Sequence, residues 1–301
     1  MKKKDKKLLY TIIILIVFLI VQAFYKPSES AKIEEVDKIV ADYNDLQIYF
    51  MDVGQADCIL IRNQNKNMLI DAGNNADGQK LVNYFKQIGI TEFEYVIGTH
   101  PHEDHIGGLD DIINSFNIKN ILLPEAYTTT KTFEDVLTSI ENKNLEITVP
   151  NIGDKINFAG TNIEVMYVGN NESDLNDNSI VLKLTYGKYS YLFTGDATSN
   201  CEKLMLDKEI KADVLKVGHH GSQYSSTDAF LKKVNPDYAI ISVAQDNTYG
   251  HPSDKTINRL KKYTNNIYQT ADYGTIVTIS DGENLNIQYL KTNTNGWLNE
   301  I

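Results

Sequence analysis

Hydrophobic and polar positions divide the chain into three stretches. Leu8 to Tyr25 is an almost unbroken apolar run, with Gln22 its only strongly polar side chain, and it follows the basic start MKKKDKK. At about 1.5 Å per residue, such a run sits near the lower limit for crossing a bilayer. Lysines ahead of it keep the N-terminus cytoplasmic and send the rest outward. Residues 1–25 therefore read as one transmembrane helix, or as a signal peptide cut after Val21-Gln22-Ala23. The expected location is the cell membrane, single-pass with the body extracytoplasmic, or secreted if the segment is cleaved. Residues 26–45 are polar, contain Pro27 and predict a tether with one short helix. From Leu46 the pattern changes to short apolar runs bounded by turn residues, which predicts one α/β domain over 46–301.

Within that domain, strands are predicted at 46–53, 57–62 and 67–73, with Asn63 to Asn67 as a hairpin turn. Helical spacing covers 79–88 and 107–116, and the apolar run 94–100 is a strand ending at a histidine. Further strands fall at 162–168, 179–186, 190–194, 214–217, 238–243 and 275–279, with helices at 198–209, 226–234 and 254–263. Strands interleaved with helices predict packed sheets carrying helices on their outer faces.

Composition narrows the function. At 301 residues, 42% hydrophobic and 23% charged, the chain is neither disordered nor collagen-like. The net charge is −11 although Lys2, Lys3, Lys4, Lys6 and Lys7 cluster at the start, so the body is more acidic still. A body of that sign does not hold nucleic acid by basic surface alone. Cys58 and Cys201 are the only cysteines, too few for a disulfide scaffold or a thiolate zinc site. Histidine is scarce, at six in the chain, and the positions of those six carry the functional reading.

Three of them fall in Thr99-His100-Pro101-His102-Glu103-Asp104-His105-Ile106-Gly107-Gly108, directly after a predicted strand. In an extended loop, residues two apart point the same way, so His100 and His102 can grip one ion together. Asp104 and His105 then turn toward a second position. Imidazole nitrogen and carboxylate oxygen are ligands that zinc, manganese and iron accept. The apolar strand before Gly195-Asp196 presents one carboxylate at its tip, where it can bridge two ions. Gly218-His219-His220-Gly221-Ser222 is another strand end running into histidines, with glycines that permit close approach to a ligand. His251, in Gly250-His251-Pro252, reads equally well as a site residue or as part of a turn.

Together these phrases resemble the metallo-β-lactamase superfamily. The wording of Phe50-Met51-Asp52-Val53-Gly54-Gln55-Ala56-Asp57, Asp71-Ala72-Gly73, Asn178-Ser179-Ile180-Val181 and Lys216-Val217-Gly218-His219-His220-Gly221-Ser222 is similar to the hydrolase domain of ComEC-type competence (DNA-uptake) proteins. The resemblance implies a four-layer αββα sandwich with its metal site along one edge of the two sheets. It also implies a metal-dependent hydrolase holding one or two divalent ions, zinc or manganese.

By this resemblance the first metal position takes His100, His102 and Asp196. The second takes Asp104, His105, Asp196 and one of the adjacent pair, with His219 expected as ligand and His220 facing substrate. The superfamily's third-motif histidine is missing, since no histidine lies between His105 and His219. Asn178, or Asp177 beside it, occupies that stretch, and an amide oxygen suits a harder ion. Asp104 and Asp196 are the expected catalytic carboxylates, with His220 and Ser222 neutralising the developing oxyanion. Asp71 is expected to support the metal ligands from behind.

The expected substrate is a phosphodiester such as DNA, RNA or a nucleotide. The alternatives are a tethered binding module without turnover and a hydrolase of another ester or amide such as a β-lactam. The membrane is an expected partner through the N-terminal helix.

Overall fold

The computed structural model describes residues 33–35, 39, 41–42, 44–171 and 173–291. The expected anchor over 1–25 lies outside them, and among the described residues no helix is long and apolar enough to cross a membrane.

Two sheets face each other. The first has nine strands in the order Glu34–Glu35, Leu285–Leu290, Thr275–Ser280, Leu46–Phe50, Ile59–Asn63, Lys66–Ile70, Tyr95–Ile97, Ile121–Leu122, Ile147–Thr148. The second has seven, ordered Lys155–Phe158, Thr161–Tyr167, Val181–Tyr186, Tyr189–Phe193, Val214–Lys216, Tyr238–Ile241, Asn266–Gln269. The period-two alternation of side chains sorts each strand's residues between two cores. Ile48, Phe50, Ile59, Ile61, Met68 and Ile97 point between the sheets, where they meet Val165, Leu182, Tyr191, Phe193, Val214 and Ile240. Tyr49, Leu60, Leu69 and Val96 point outward, against the helices Gly78–Gln87, Leu109–Ser115 and Lys131–Asn142. In the second sheet Val181, Leu192, Leu215 and Ala239 do the same beneath Ser199–Leu204, Asp228–Val234 and Asp254–Leu260. Both sheets are thus covered on both faces, which is why their strands read as continuous apolar runs. The result is the αββα sandwich.

Several expected elements are shorter than their apolar runs. The strand expected over 94–100 pairs only at Tyr95–Ile97, and the helix expected over 198–209 stops at Leu204. Lys131–Asn142 is a helix outside the predicted set, capped by Thr130 through Phe133 N and buried along Phe133, Val136 and Ile140. Within the expected tether, Glu34–Glu35 adds a parallel edge strand to Leu285–Leu290. The hairpin expected at Asn63 to Asn67 turns through Gln64 and Asn65, both at positive φ, the conformation a two-residue hairpin requires.

One buried acid outside the metal cluster sets a pH dependence of stability. Glu202 is 2% exposed and accepts from the backbone amides of Ser226 and Thr227. Burial outweighs those bonds and pushes its carboxyl from 4.5 up to about 7. The folded state therefore binds more protons than the unfolded chain between those values, so stability falls as pH rises from about 4.5 to about 7. Urea unfolding at pH 5 and at pH 8 checks this, and Glu202→Gln flattens the difference.

Candidate metal centre

The chemistry-bearing loops all leave C-terminal strand ends on one edge of the sandwich. Tyr95–Ile97 runs parallel to Lys66–Ile70 in one sheet, and Tyr189–Phe193, Val214–Lys216 and Tyr238–Ile241 run parallel in the other. Such shared strand ends are where α/β folds gather reactive groups from distant positions. His100 to His105 follow the first of these strands, Asp196 and His219-His220 the next two, and His251 the last.

The histidine-rich segment becomes a loop followed by one helical turn, Glu103–Ile106, with His102 in extended conformation at its start. Ala72 N donates to His105 O (2.7 Å), Gly107 N to Gly73 O (2.9 Å) and Asp57 N to Asp104 O (3.0 Å). These bonds fix the turn against two strand ends. A Cβ on Gly107 would collide with the Asn74–Asn75 backbone, and one on Gly108 would lie 2.5 Å from Ala72 O. Glycine is needed there for close approach.

Asp71 organises the ligands from behind. It holds φ +59°, its Oδ1 accepts from Thr99 N (2.7 Å), and its Oδ2 accepts from Thr99 Oγ1 (2.7 Å). The same Oδ2 lies 2.8 Å from His105 Nδ1. A hydrogen bond given there by Nδ1–H leaves Nε2 free for a metal. His220 is oriented the same way, its Nδ1 donating to Ser242 O at 2.9 Å.

The freed nitrogens converge. Ligand atoms of Asp104, His105, Asp196 and His220 all lie within 4.8 Å of one another. His105 Nε2 is 3.3 Å from Asp196 Oδ1, and His220 Nε2 is 3.3 Å from Asp104 Oδ2 and 3.6 Å from Asp196 Oδ2. His105 Nε2, His220 Nε2 and Asp196 Oδ1 are nevertheless buried without an aligned hydrogen bond. Buried polar atoms left unpaired in native folds are costly. Two nitrogens and two carboxylates so arranged fit a divalent cation. Charge tells the same story in the protein alone. Burial opposes ionisation of His105, yet Asp196, Asp71 and Asp104 together hold its pKa well above the ordinary value. Against its own burial, Asp196 is held well below the carboxylate range by His105 and then His220.

The adjacent histidines divide differently from the expectation. His220 is 1% exposed and enters the four-residue cluster, whereas the His219 side chain is 26% exposed at the rim, its Nε2 3.6 Å from Asp196 Oδ2. Both lie in the left-handed region, at φ 51° each. Successive non-glycine residues there cost about 1–3 kcal/mol each and persist where surrounding contacts impose them. That backbone turns His220 inward and His219 outward.

His100 is fully buried, with Nε2 3.0 Å from His102 Nδ1 and Nδ1 near Thr99 Oγ1 and Ser179 Oγ. The two rings are together, but no third ligand of theirs comes from Asn178. Its amide is taken by Asn171, whose N–H donates to Oδ1 and whose carbonyl accepts from Nδ2 at 2.9 Å. Asp177 is equally occupied, accepting from Thr198, Asn171, Asn200 and Cys201. Ser222 also turns away: its Oγ accepts from Tyr224 N and does not border the cleft. Cys201 is buried on its helix, with its thiol pushed up to about 12 by burial.

Over the cluster lies a cleft of about 330 Å³. Its walls include His102, His219 and His251, with Gln55, Asn176 and Tyr249, which sequence patterns did not single out. No lysine or arginine lines it among the described residues. Behind the cluster sits a second feature not foreseen. Lys216 and Asp57, 0% and 1% exposed, form an ion pair at 2.6 Å, and Asp57 Oδ1 lies 3.6 Å from His220 Nδ1.

Fold and cluster together define the class of metal-dependent hydrolases. More particularly, the chain belongs to the metallo-beta-lactamase superfamily, whose family model matches residues 51–245. ComE operon protein 3 of Bacillus subtilis is 28% identical over 251 residues, covering 76% of this chain and 32% of that protein. Competence protein ComA of Neisseria gonorrhoeae is 27% identical over 226 residues, covering 73% and 30%. The chain thus spans about a third of the length of these competence-related relatives. The metallo-beta-lactamase fold protein YhfI from Bacillus subtilis shares the fold, with a TM-score of 0.52 at 12% identity, covering 74% of this chain and 95% of that one.

Outer support of metal ligands typically contributes 10- to 100-fold in affinity. Asp71→Asn is accordingly expected to weaken Mn or Zn binding by about that factor. Calorimetric titration of the stripped protein checks it.

Proposed function

We propose that this protein is a divalent-metal-dependent phosphodiesterase, acting on nucleic acid or nucleotide and tethered outside the cytoplasmic membrane. The observation that carries the reading is the convergence of His105, His220, Asp104 and Asp196 beneath an open cleft. Kinship to competence-related proteins favours phosphodiester over β-lactam substrates. An ion, zinc or manganese, would be held first by those four residues. A second, weaker position falls at His100, His102 and Asp196, because Asn178 is spent on Asn171.

When bound, such an ion lowers the pKa of water toward about 7 and polarises a phosphoryl oxygen. The residues do the rest. Burial raises the Asp104 pKa, but His105 and then His220 pull it well below the ordinary range, so it stays ionised at neutral pH. Its carboxylate can therefore accept a hydrogen bond from an attacking water and orient it. His219 at the rim faces the transferred group. His251, held neutral by burial and by its histidine neighbours, offers a further uncharged contact. With no lysine or arginine lining the cleft among the described residues, a bound ion and the histidines would hold the phosphate.

The test is a substrate panel on metal-loaded protein: bis-p-nitrophenyl phosphate, p-nitrophenyl phosphate and the β-lactam nitrocefin. Turnover of the diester at least about tenfold above the other two is the expected result. Preference for nitrocefin, or silence on all three with metal bound, would move the assignment to β-lactam hydrolysis or to a binding role.

A further inference from the structure

The rim of the metal cleft carries an aromatic ring in an unusual setting. Tyr249 is 71% exposed, yet it borders the same cleft as Asp104, Asp196 and His220. Large aromatic side chains usually bury their area, so an exposed ring beside a reactive centre is informative. One face is backed by His251, whose ring stacks on it at 5.8 Å between centroids and 21° between planes. His251 in turn sits edge-on to His219 at 5.7 Å, and His219 Nε2 is 3.6 Å from Asp196. A chain of rings thus leads from the carboxylate to an open aromatic face.

The loop beneath these rings is braced. The Asn247 side chain donates to His251 O (2.6 Å) and to Ala244 O (2.9 Å), and accepts from His251 N (2.9 Å). Gln55, another cleft residue, accepts from Ala244 N at 3.3 Å. The platform is therefore pre-organised, which lowers the entropy lost when a flat group stacks on it.

We infer that Tyr249, backed by His251, is a nucleobase-stacking subsite, so that the phosphodiester substrate carries a base next to the scissile phosphate. Every base has a π-face, and stacking on an aromatic side chain tolerates any sequence. It also needs no basic surface, which agrees with an acidic body and a cleft without lysine or arginine among the described residues. The inference rests on the phosphodiesterase reading and adds to it the residue that contacts the base.

The probe is a thymidine tetramer joined by uncharged methylphosphonate links, which is not hydrolysed, beside its abasic counterpart. Both are titrated calorimetrically into the zinc-loaded protein. The base-bearing tetramer is expected to bind about tenfold or more tightly than the abasic one, the range that one stacked base supplies. Tyr249→Ala erases that difference and Tyr249→Phe keeps it; the exposure of the ring leaves folding unaffected. Equal affinity for base-bearing and abasic probes, or a difference that survives Tyr249→Ala, would overturn the subsite. Failure of the phosphodiesterase reading shows separately, as no hydrolysis of an ordinary phosphodiester tetramer.

Discussion

Asp196→Ala lowers phosphodiester turnover by at least about 10³-fold, while the protein stays folded. The magnitude follows from the several kcal/mol that a correctly held ion contributes, at about 1.36 kcal/mol per decade. Asp196 is the carboxylate that faces both histidines of the cluster, His105 at 3.3 Å and His220 at 3.6 Å, and also the rim residue His219 at 3.6 Å. Its removal opens both proposed metal positions at once. Folding is spared because each histidine keeps other carboxylates beside it: Asp71 and Asp104 for His105, Asp57 and Asp104 for His220. Steady-state kinetics and circular dichroism on the same preparation check both halves. Retention of even a tenth of the activity would remove Asp196 from the centre of the account.

The second large effect is on stability. Lys216→Met is expected to destabilise the fold by about 3–5 kcal/mol, because it leaves the Asp57 carboxylate buried without its counter-ion. The double change Lys216→Met with Asp57→Leu should recover most of that loss, since an apolar pair has no charge to desolvate. Urea unfolding of the single and double variants measures the recovery. Asp57 also lies 3.6 Å from His220 Nδ1. The double variant should therefore be stable yet slower, whereas a pair that served packing alone would leave turnover unchanged.

This pair also shows where the sequence was readable and where it was not. The strands were legible because both faces of each sheet are covered, so Ile59 to Ile61 and Val214 to Val217 appear as apolar runs. Lys216 interrupts one run and Asp57 opens another, 159 positions away in the chain. A charge inside a doubly covered strand requires an opposite partner, but sequence alone does not say which acid the topology brings to it. The helix Lys131–Asn142 was legible in principle. Thr130 caps it, and Phe133, Val136 and Ile140 lie on one face.

At the site, the dense segment from His100 to His105 announced itself through composition. Its partners Asp196 and His219-His220 did so through glycine-flanked strand ends. Which of the adjacent histidines turns inward was not legible, because it depends on two left-handed residues that no local rule demands of histidine. Asn178 pointed the wrong way for a related reason. An asparagine near a turn competes for backbone partners, and here it closes the loop through Asn171. Tyr249 lies in no motif, and nothing in the sequence marks Gln55 as a wall of the cleft; only the fold brings the two to it.

The most direct test of the central claim is a metal titration. The protein is stripped with chelator and reloaded stepwise with manganese, and bis-p-nitrophenyl phosphate hydrolysis is followed against bound metal and melting temperature. The stripped protein is expected to show no turnover, and the rate to rise with the first bound ion. The melting temperature should rise with it, because a ligand present at 100 times its Kd stabilises by about 2.7 kcal/mol. Full activity after stripping, or a stably bound ion with no hydrolysis and no thermal shift, would contradict it.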